Sequence, residues 1–289
     1  MAWWTFDEFY GRDSRFLDAL VERKQRFVGE IPSNLRVWTS KPEVIINEDS
    51  QDESGTARTS HVNHQQSPCE VRNLLKHSSK LNLQSWQKYR IKDTDKGSEV
   101  WKIRHLTVWR QAGDRLPSVR QTLIVARNVR TGETKFFLAN AVIGEDGVTL
   151  RSLLRVAFGR WAIEAELRVS KKELGLDHFE VRGWRCIHRH YFITGLSFLL
   201  CSRIRQSLDK TRTRQLTVEQ VRRSLNCWLQ HHELPCDLRD DEFRKHLETQ
   251  FYYQQRNAQA RMSHTKTRRR LYLDLGIDVD KIKSCIQLE

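Results

Sequence analysis

The hydrophobic period of this chain turns helical at Thr149 and stays so almost to the end, and that constrains the fold. Before Thr149, apolar residues come mostly in short strand-like runs. After it they recur every three or four positions almost to the end, as helices require. Such a chain contains both strands and helices, with most strands in its first half and most helices in its second.

The first residues already combine both patterns. Ala2 to Phe6 is an almost wholly apolar run that reads as a strand buried on both faces, and it stops at Asp7. Gly11 supplies a turn and Asp13 or Ser14 a cap, after which Phe16, Leu17, Leu20 and Val21 repeat at helical spacing. A second strand runs from Arg26 to Ile31 and ends at Pro32. Strand, helix and strand in such a short stretch form an α/β unit of the kind whose active sites lie at strand ends, which is where Asp7 falls. From about Thr39 to Ser67 the sequence turns polar and loses its period, as a mobile insert does. Val71 to Leu81 predicts one short helix with Ser67 and Pro68 at its start. Val100–Arg104, Thr122–Ala126 and Lys135–Leu138 predict strands, the last two joined by a hairpin turn at Thr131-Gly132-Glu133, with many cations on the solvent side.

From Thr149 onward, Leu150, Leu153, Leu154, Ala157 and Trp161 mark one apolar stripe, extended by Ile163, Leu167 and Leu174, and Gly175 is a natural stop. Further helices are predicted from Cys186 to Leu208, from Thr217, which makes a capping pattern with Gln220, to Gln230, and from Asp240 to Met262, the last charged and exposed. In the helical segment that starts at Thr149, Arg160, Glu164 and Lys171 sit at roughly 0°, 40° and 20° around the axis. One carboxylate and two cations thus share a face. Such a face suits a divalent ion held beside a phosphate backbone, the acid binding the ion and the cations the strand.

Charge points the same way. The chain has 50 Lys and Arg against 36 Asp and Glu, a formal charge of +14. That excess favours a polyanionic partner, because neutralising phosphates releases condensed counterions. The longest apolar run, Tyr191 to Cys201, is too short to span a bilayer and reads as a buried helix. The first residues lack the basic start of a signal peptide, so no membrane and a cytoplasmic, nucleoid-associated location are expected. The 6 cysteines show no C-x-x-C pair and read as reduced, mostly structural thiols.

The run Arg160-Trp161-Ala162-Ile163-Glu164, with Lys171 and then Glu173-Leu174-Gly175-Leu176-Asp177-His178-Phe179-Glu180-Val181-Arg182, resembles insertion-sequence DDE transposases. These form the superfamily marked by a Y-x-x-R-x-x-x-E-x-x-x-x-x-x-K signature. Arg160, Glu164 and Lys171 match three of its elements, whereas the Tyr position holds Ala157. Trp184-Arg185 and His188-Arg189-His190 extend the likeness. Asp7 with Tyr10-Gly11, continued by Arg12-Asp13-Ser14-Arg15-Phe16-Leu17, resembles the second acid of such enzymes, and the likeness reaches from Met1 to about Arg205.

The resemblance implies an RNase H-like catalytic domain over residues 1–205, carrying a strand-rich insertion at about 39–148, and a helical basic extension over 206–289. It implies Asp7 and Glu164 as catalytic metal ligands, Arg160 and Lys171 as clamps on DNA phosphates, and two Mg2+ or Mn2+ ions. Such ions, roughly 3.5–4 Å apart, activate the attacking hydroxyl and stabilise the leaving oxygen. The implied partners are double-stranded DNA, both element ends and target, and full-length transposase. A first catalytic Asp is expected upstream, so the chain reads as the C-terminal part of a truncated, split or frameshifted transposase. A second reading is a non-catalytic DNA-binding remnant.

Blander readings stand beside these. Asp7 serves equally as a turn acid capping the next element, and Glu164 as one half of a solvated pair with Arg160. His178, His188 and His190 read as core or DNA-facing side chains rather than metal ligands, and Trp161 and Trp184 as packing residues. The Arg268-Arg269-Arg270 run with Lys266 reads as a solvated basic face or a phosphate contact.

Overall fold

The computed structural model describes residues 2–47, 59–63, 65–94, 96–209, 216–233 and 236–285. They form two compact units, Met1–Arg160 with Thr265–Glu289, which is mixed α/β, and Trp161–His264, whose described elements are all helices. The middle of the polar stretch, residues 48–58, lies outside the described residues, as does the side chain of Trp161.

The first unit opens with α1 (Glu8–Gly11), α2 (Ser14–Glu22) and β1 (Val28–Ile31). Residues 2–6 are extended and run parallel to β1. The Trp4 N–H donates to the Arg26 carbonyl at 2.8 Å, and the Val28 and Glu30 N–H groups donate to the Trp4 and Phe6 carbonyls at 2.9 and 3.0 Å. The strand–helix–strand reading is therefore sound in its connections. It erred on burial at the edge, since Phe6 is buried but Trp4 is 52% exposed. Two glycines allow the close packing: a Cβ at Gly29 would strike the Phe6 ring, and one at Gly11 the carbonyl oxygen of Glu30.

The polar stretch is not wholly irregular. β2 (Arg36–Trp38) precedes β3 (Val44–Asn47), which pairs antiparallel with β4 (Thr59–Val62). The β-branched run Val44-Ile45-Ile46 is too short for its period to be read. After β5 (Cys69–Glu70), the predicted single helix is two, α3 (Val71–His77) and α4 (Ser79–Asn82). Ser78 between them is extended, and its hydroxyl accepts from the Leu81 N–H, so a side-chain cap replaces one turn of helix.

Four strands follow: β6 (Gln87–Thr94), β7 (Gly97–Gln111), β8 (Pro117–Asn128) and β9 (Thr134–Ala139). The main sheet runs in the order β1-β9-β8-β7-β2-β5, and β6 pairs the other end of long β7. The strands expected as an insertion share a sheet with β1, whose Val28 to Ile31 pair antiparallel with Ala139 to Phe136. Alternation explains why the central strands read as unbroken apolar runs. Leu123, Val125, Phe136 and Leu138 face α2, α3 and α4, while Ile124, Ala126, Phe137 and Ala139 face the helix that follows.

That helix, α5 (Leu150–Gly159), starts at a reciprocal cap between Thr149 and Ser152, with N–H to oxygen distances of 3.0 and 3.1 Å. Its Leu153 and Leu154 are fully buried, each contributing about 1.5–3 kcal/mol of hydrophobic stabilisation. The chain then forms α6 (Trp161–Leu174), α7 (Trp184–Asp209), α8 (Val218–Glu233) and α9 (Cys236–Asp274). The last is longer than expected because no Gly or Pro occurs between Pro235 and Gly276.

The end of α9 belongs to the first unit. The Tyr272 hydroxyl accepts from the Val100 N–H at 3.1 Å, and β10 (Lys283–Ser284) pairs parallel with β6. Arg268 is buried, not part of a solvated face: it donates to the Gly97 carbonyl at 2.8 Å, while Arg269 pairs with Asp280.

The second unit has a small core of Cys201, Val218 and Val221, joined by Val169, Phe198 and Leu225. The predicted Thr217/Gln220 cap forms, with the Thr217 N–H on Gln220 Oε1 at 2.9 Å and the Gln220 N–H on Thr217 Oγ1 at 3.2 Å. The run Tyr191 to Cys201 is helical but not buried. Thr194 and Cys201 point inward, while Phe192 and Leu200 are 67% and 56% exposed. Among the described residues no helix is long and apolar enough to cross a membrane.

Candidate functional site

Asp7 stands where the extended residues 2–6 leave β1, at the carboxyl end of a parallel-paired segment. Its carboxylate accepts from the Tyr10 N–H at 3.4 Å and caps α1, and the side chain is half-buried. The capping role read from the sequence is therefore present. The Tyr10-Gly11 pair that follows also has a local reason: Gly11 lets α1 lie directly on the β1 backbone beside Glu30.

Arg160 requires a correction. The expected single helix bearing Arg160, Glu164 and Lys171 is two helices, α5 ending at Gly159 and α6 beginning at Trp161, with Arg160 as the residue between. Arg160 keeps helical dihedrals (φ −55°, ψ −33°), but the hydrogen-bonded ladder is interrupted beside Gly159, a residue about 1 kcal/mol poorer than Ala in a helix. Arg160 thus closes the first unit, and its guanidinium lies 3.9 Å from Glu30. Glu164 and Lys171 belong to α6 in the second unit, in its first and last turns, and both are exposed.

Glu30, which the sequence reading passed over, ties two of the expected residues together. Its N–H donates to the Phe6 carbonyl immediately before Asp7, and its carboxylate takes Lys135 at 2.8 and 3.1 Å as well as Arg160. An acid in a strand otherwise read as apolar was the available signal, since an acid at such a position is seldom buried without a cation.

The histidines serve structure locally. His190 Nε2 lies 2.8 Å from the Gly175 carbonyl, and His188 packs edge-on against Trp184 with ring centroids 4.1 Å apart. Trp184, expected to pack in a core, is 74% exposed. In the same unit Glu173 lies 3.5 Å from Arg222 and 3.6 Å from Lys172.

A metal pair needs several converging carboxylates. Among the described residues no three His, Cys, Asp or Glu side chains gather to hold an ion, so neither unit by itself supplies a complete set. No model of a known protein family matches the sequence, and no curated protein matches it.

Proposed function

We propose that this chain acts on DNA as part of a DDE-type transposase with an RNase H-like core. In this reading Asp7 and Glu164 contribute carboxylates to Mg2+- or Mn2+-dependent strand cleavage and transfer, and Arg160 and Lys171 contact strand phosphates. The observation that carries it is the position of Asp7 at the carboxyl end of a parallel-paired segment, linked through Glu30 to the Arg160 of an Arg-Glu-Lys signature. Carboxyl ends of parallel strands are where open α/β sheets place their chemistry. The net charge of +14 suits a polyanionic substrate.

A second reading, a DNA-binding part without cleavage activity that joins complexes of full-length transposase, is favoured by the present engagements of two site residues. The Asp7 carboxylate caps α1, and Arg160 lies against Glu30.

Supercoiled plasmid DNA incubated with the purified protein and Mg2+ or Mn2+ separates the two. Metal-dependent nicking that disappears in Asp7→Asn and Glu164→Gln, with DNA affinity retained, supports the catalytic reading. Binding without nicking, both alone and with the upstream segment expected to carry the first acid, leaves the second reading, and absence of salt-dependent DNA binding refutes both.

A further inference from the structure

A cavity of about 620 Å³ opens in the first unit between the start of α2, the loop from β1 to β2 and the hairpin joining β7 to β8. Arg12, Arg36 and Arg115 line it, with Ser14, Asn34 and a single acid, Glu8. All three arginines are exposed, and among the described residues none of them is in an ion pair. Three cationic residues around one space repel each other, and one carboxylate does not balance them.

The floor is rigid. Arg110, fully buried, pairs with Asp18, and its other nitrogen lies 3.5 Å from Ser14 Oγ and 3.1 Å from the Gln111 carbonyl. Asp18 also accepts from the Gly113 N–H at 3.2 Å and so anchors the hairpin. In that hairpin the Arg115 N–H donates to the Ala112 carbonyl at 3.0 Å, and the Ala112 N–H to the Leu116 carbonyl at 2.8 Å. This puts Arg115 in the left-handed region, at φ 65°, a position that favours glycine in hairpin loops. A long cationic side chain is held there at a conformational cost.

The surroundings indicate what the cations face. The Arg12 guanidinium lies 4.6 Å from the ring centroid of Phe9, itself 62% exposed, and Phe9 meets Tyr10 edge-on. Guanidiniums for phosphate with exposed aromatic residues nearby are the two elements of a nucleic-acid contact; a free inorganic anion needs only the first.

We infer that this cavity binds a phosphodiester segment of a nucleic-acid strand, held by Arg12, Arg36 and Arg115. The inference rests on the reading that the protein acts on DNA and adds a contact surface in the first unit that includes neither Arg160 nor Lys171. Each arginine neutralises a phosphate, so each contributes about 0.9 to the slope of log affinity against log salt on duplex DNA.

The test compares Arg12→Gln, Arg36→Gln and Arg115→Gly with a matched control, Lys24→Gly. Lys24 is also left-handed (φ 53°) and exposed but does not line the cavity. Fluorescence anisotropy on a duplex across salt concentrations gives the slope, thermal melting gives the fold, and inorganic pyrophosphate serves as a small-anion probe. The expected result is a slope flattened by about 0.9 in each arginine variant and by about 2–3 in the triple variant, with the control unchanged. Both glycine variants melt higher, by about 2–4 °C, so Arg115→Gly gains stability while losing affinity. Wild-type binding with unchanged slopes in the arginine variants overturns the cavity and leaves the DNA reading standing. Absence of duplex binding overturns both. Arginine-dependent pyrophosphate binding in that case reassigns the cavity to a small anion.

Discussion

Replacing Asp18 with Ala is the sharpest test of how the first unit is held together. Arg110 has no solvent exposure, and Asp18 is the carboxylate that meets it; the Asp18 side chain keeps 27% exposure. An arginine cannot shed its proton inside a protein, so the variant must bury an unpaired guanidinium or pull β7 apart to hydrate it. Removing one partner of a fully enclosed pair costs about 3–5 kcal/mol; because water reaches Asp18, about 2–4 kcal/mol is expected here. For a unit of this size that lowers the melting temperature by about 5–15 °C. Native-state hydrogen exchange at Ile103 and Leu123, buried residues of β7 and β8, reads the first unit directly. The double change Arg110→Met with Asp18→Leu removes both charges and recovers most of the loss. A loss below about 0.5 kcal/mol for Asp18→Ala, typical of an exposed pair, would refute the argument that buried charge governs this region.

Two further outcomes follow from packing and burial. Gly11→Ala forces a methyl onto the Glu30 carbonyl oxygen and is expected to cost about 1–3 kcal/mol in urea unfolding; a change within 0.5 kcal/mol, read as about the limit for a surface site, contradicts the close approach. Burial pushes the Cys285 thiol from 9.0 up to about 11, against the opposing influence of Arg151 and Arg155. The folded state therefore holds that proton more tightly than the unfolded state. Its contribution is fully present below pH 9 and is lost as pH rises towards 11, about 2–3 kcal/mol in all. Cys285→Ala should remove this component of the alkaline loss, and an unaltered stability profile between those pH values contradicts the burial.

Much of the local structure was legible because it depends on neighbours in sequence. The 3.6-residue period placed α5 through its apolar stripe, and the Thr149 and Thr217 caps formed where their side chains can reach the first turn. Asp7 as a helix cap was legible for the same reason. The turn at Gly132 joins β8 to β9 with a φ of 73° that glycine accepts freely. The apolar runs in β8 and β9 announced strands, but the solvent side expected for them is covered by the core around α5.

Other features depend on residues far apart in the chain. Nothing local in Lys135-Phe136-Phe137-Leu138 states that β9 pairs with β1, because edge hydrogen bonds are alike for any strand of matching register. Arg110 is buried through Asp18, 92 positions away in the chain, and Arg160 read as part of one continuous helix until the junction beside Gly159 turned it to Glu30. By itself, then, the sequence determined an α/β chain, its helix caps, the presence of the central strands and an excess of positive charge. Tertiary structure decided which charges are buried in pairs and which, like Arg12, Arg36 and Arg115, are gathered around one open space. The physical reason is that periodicity and capping act within a few residues, whereas electrostatic pairing acts through distance in the folded molecule.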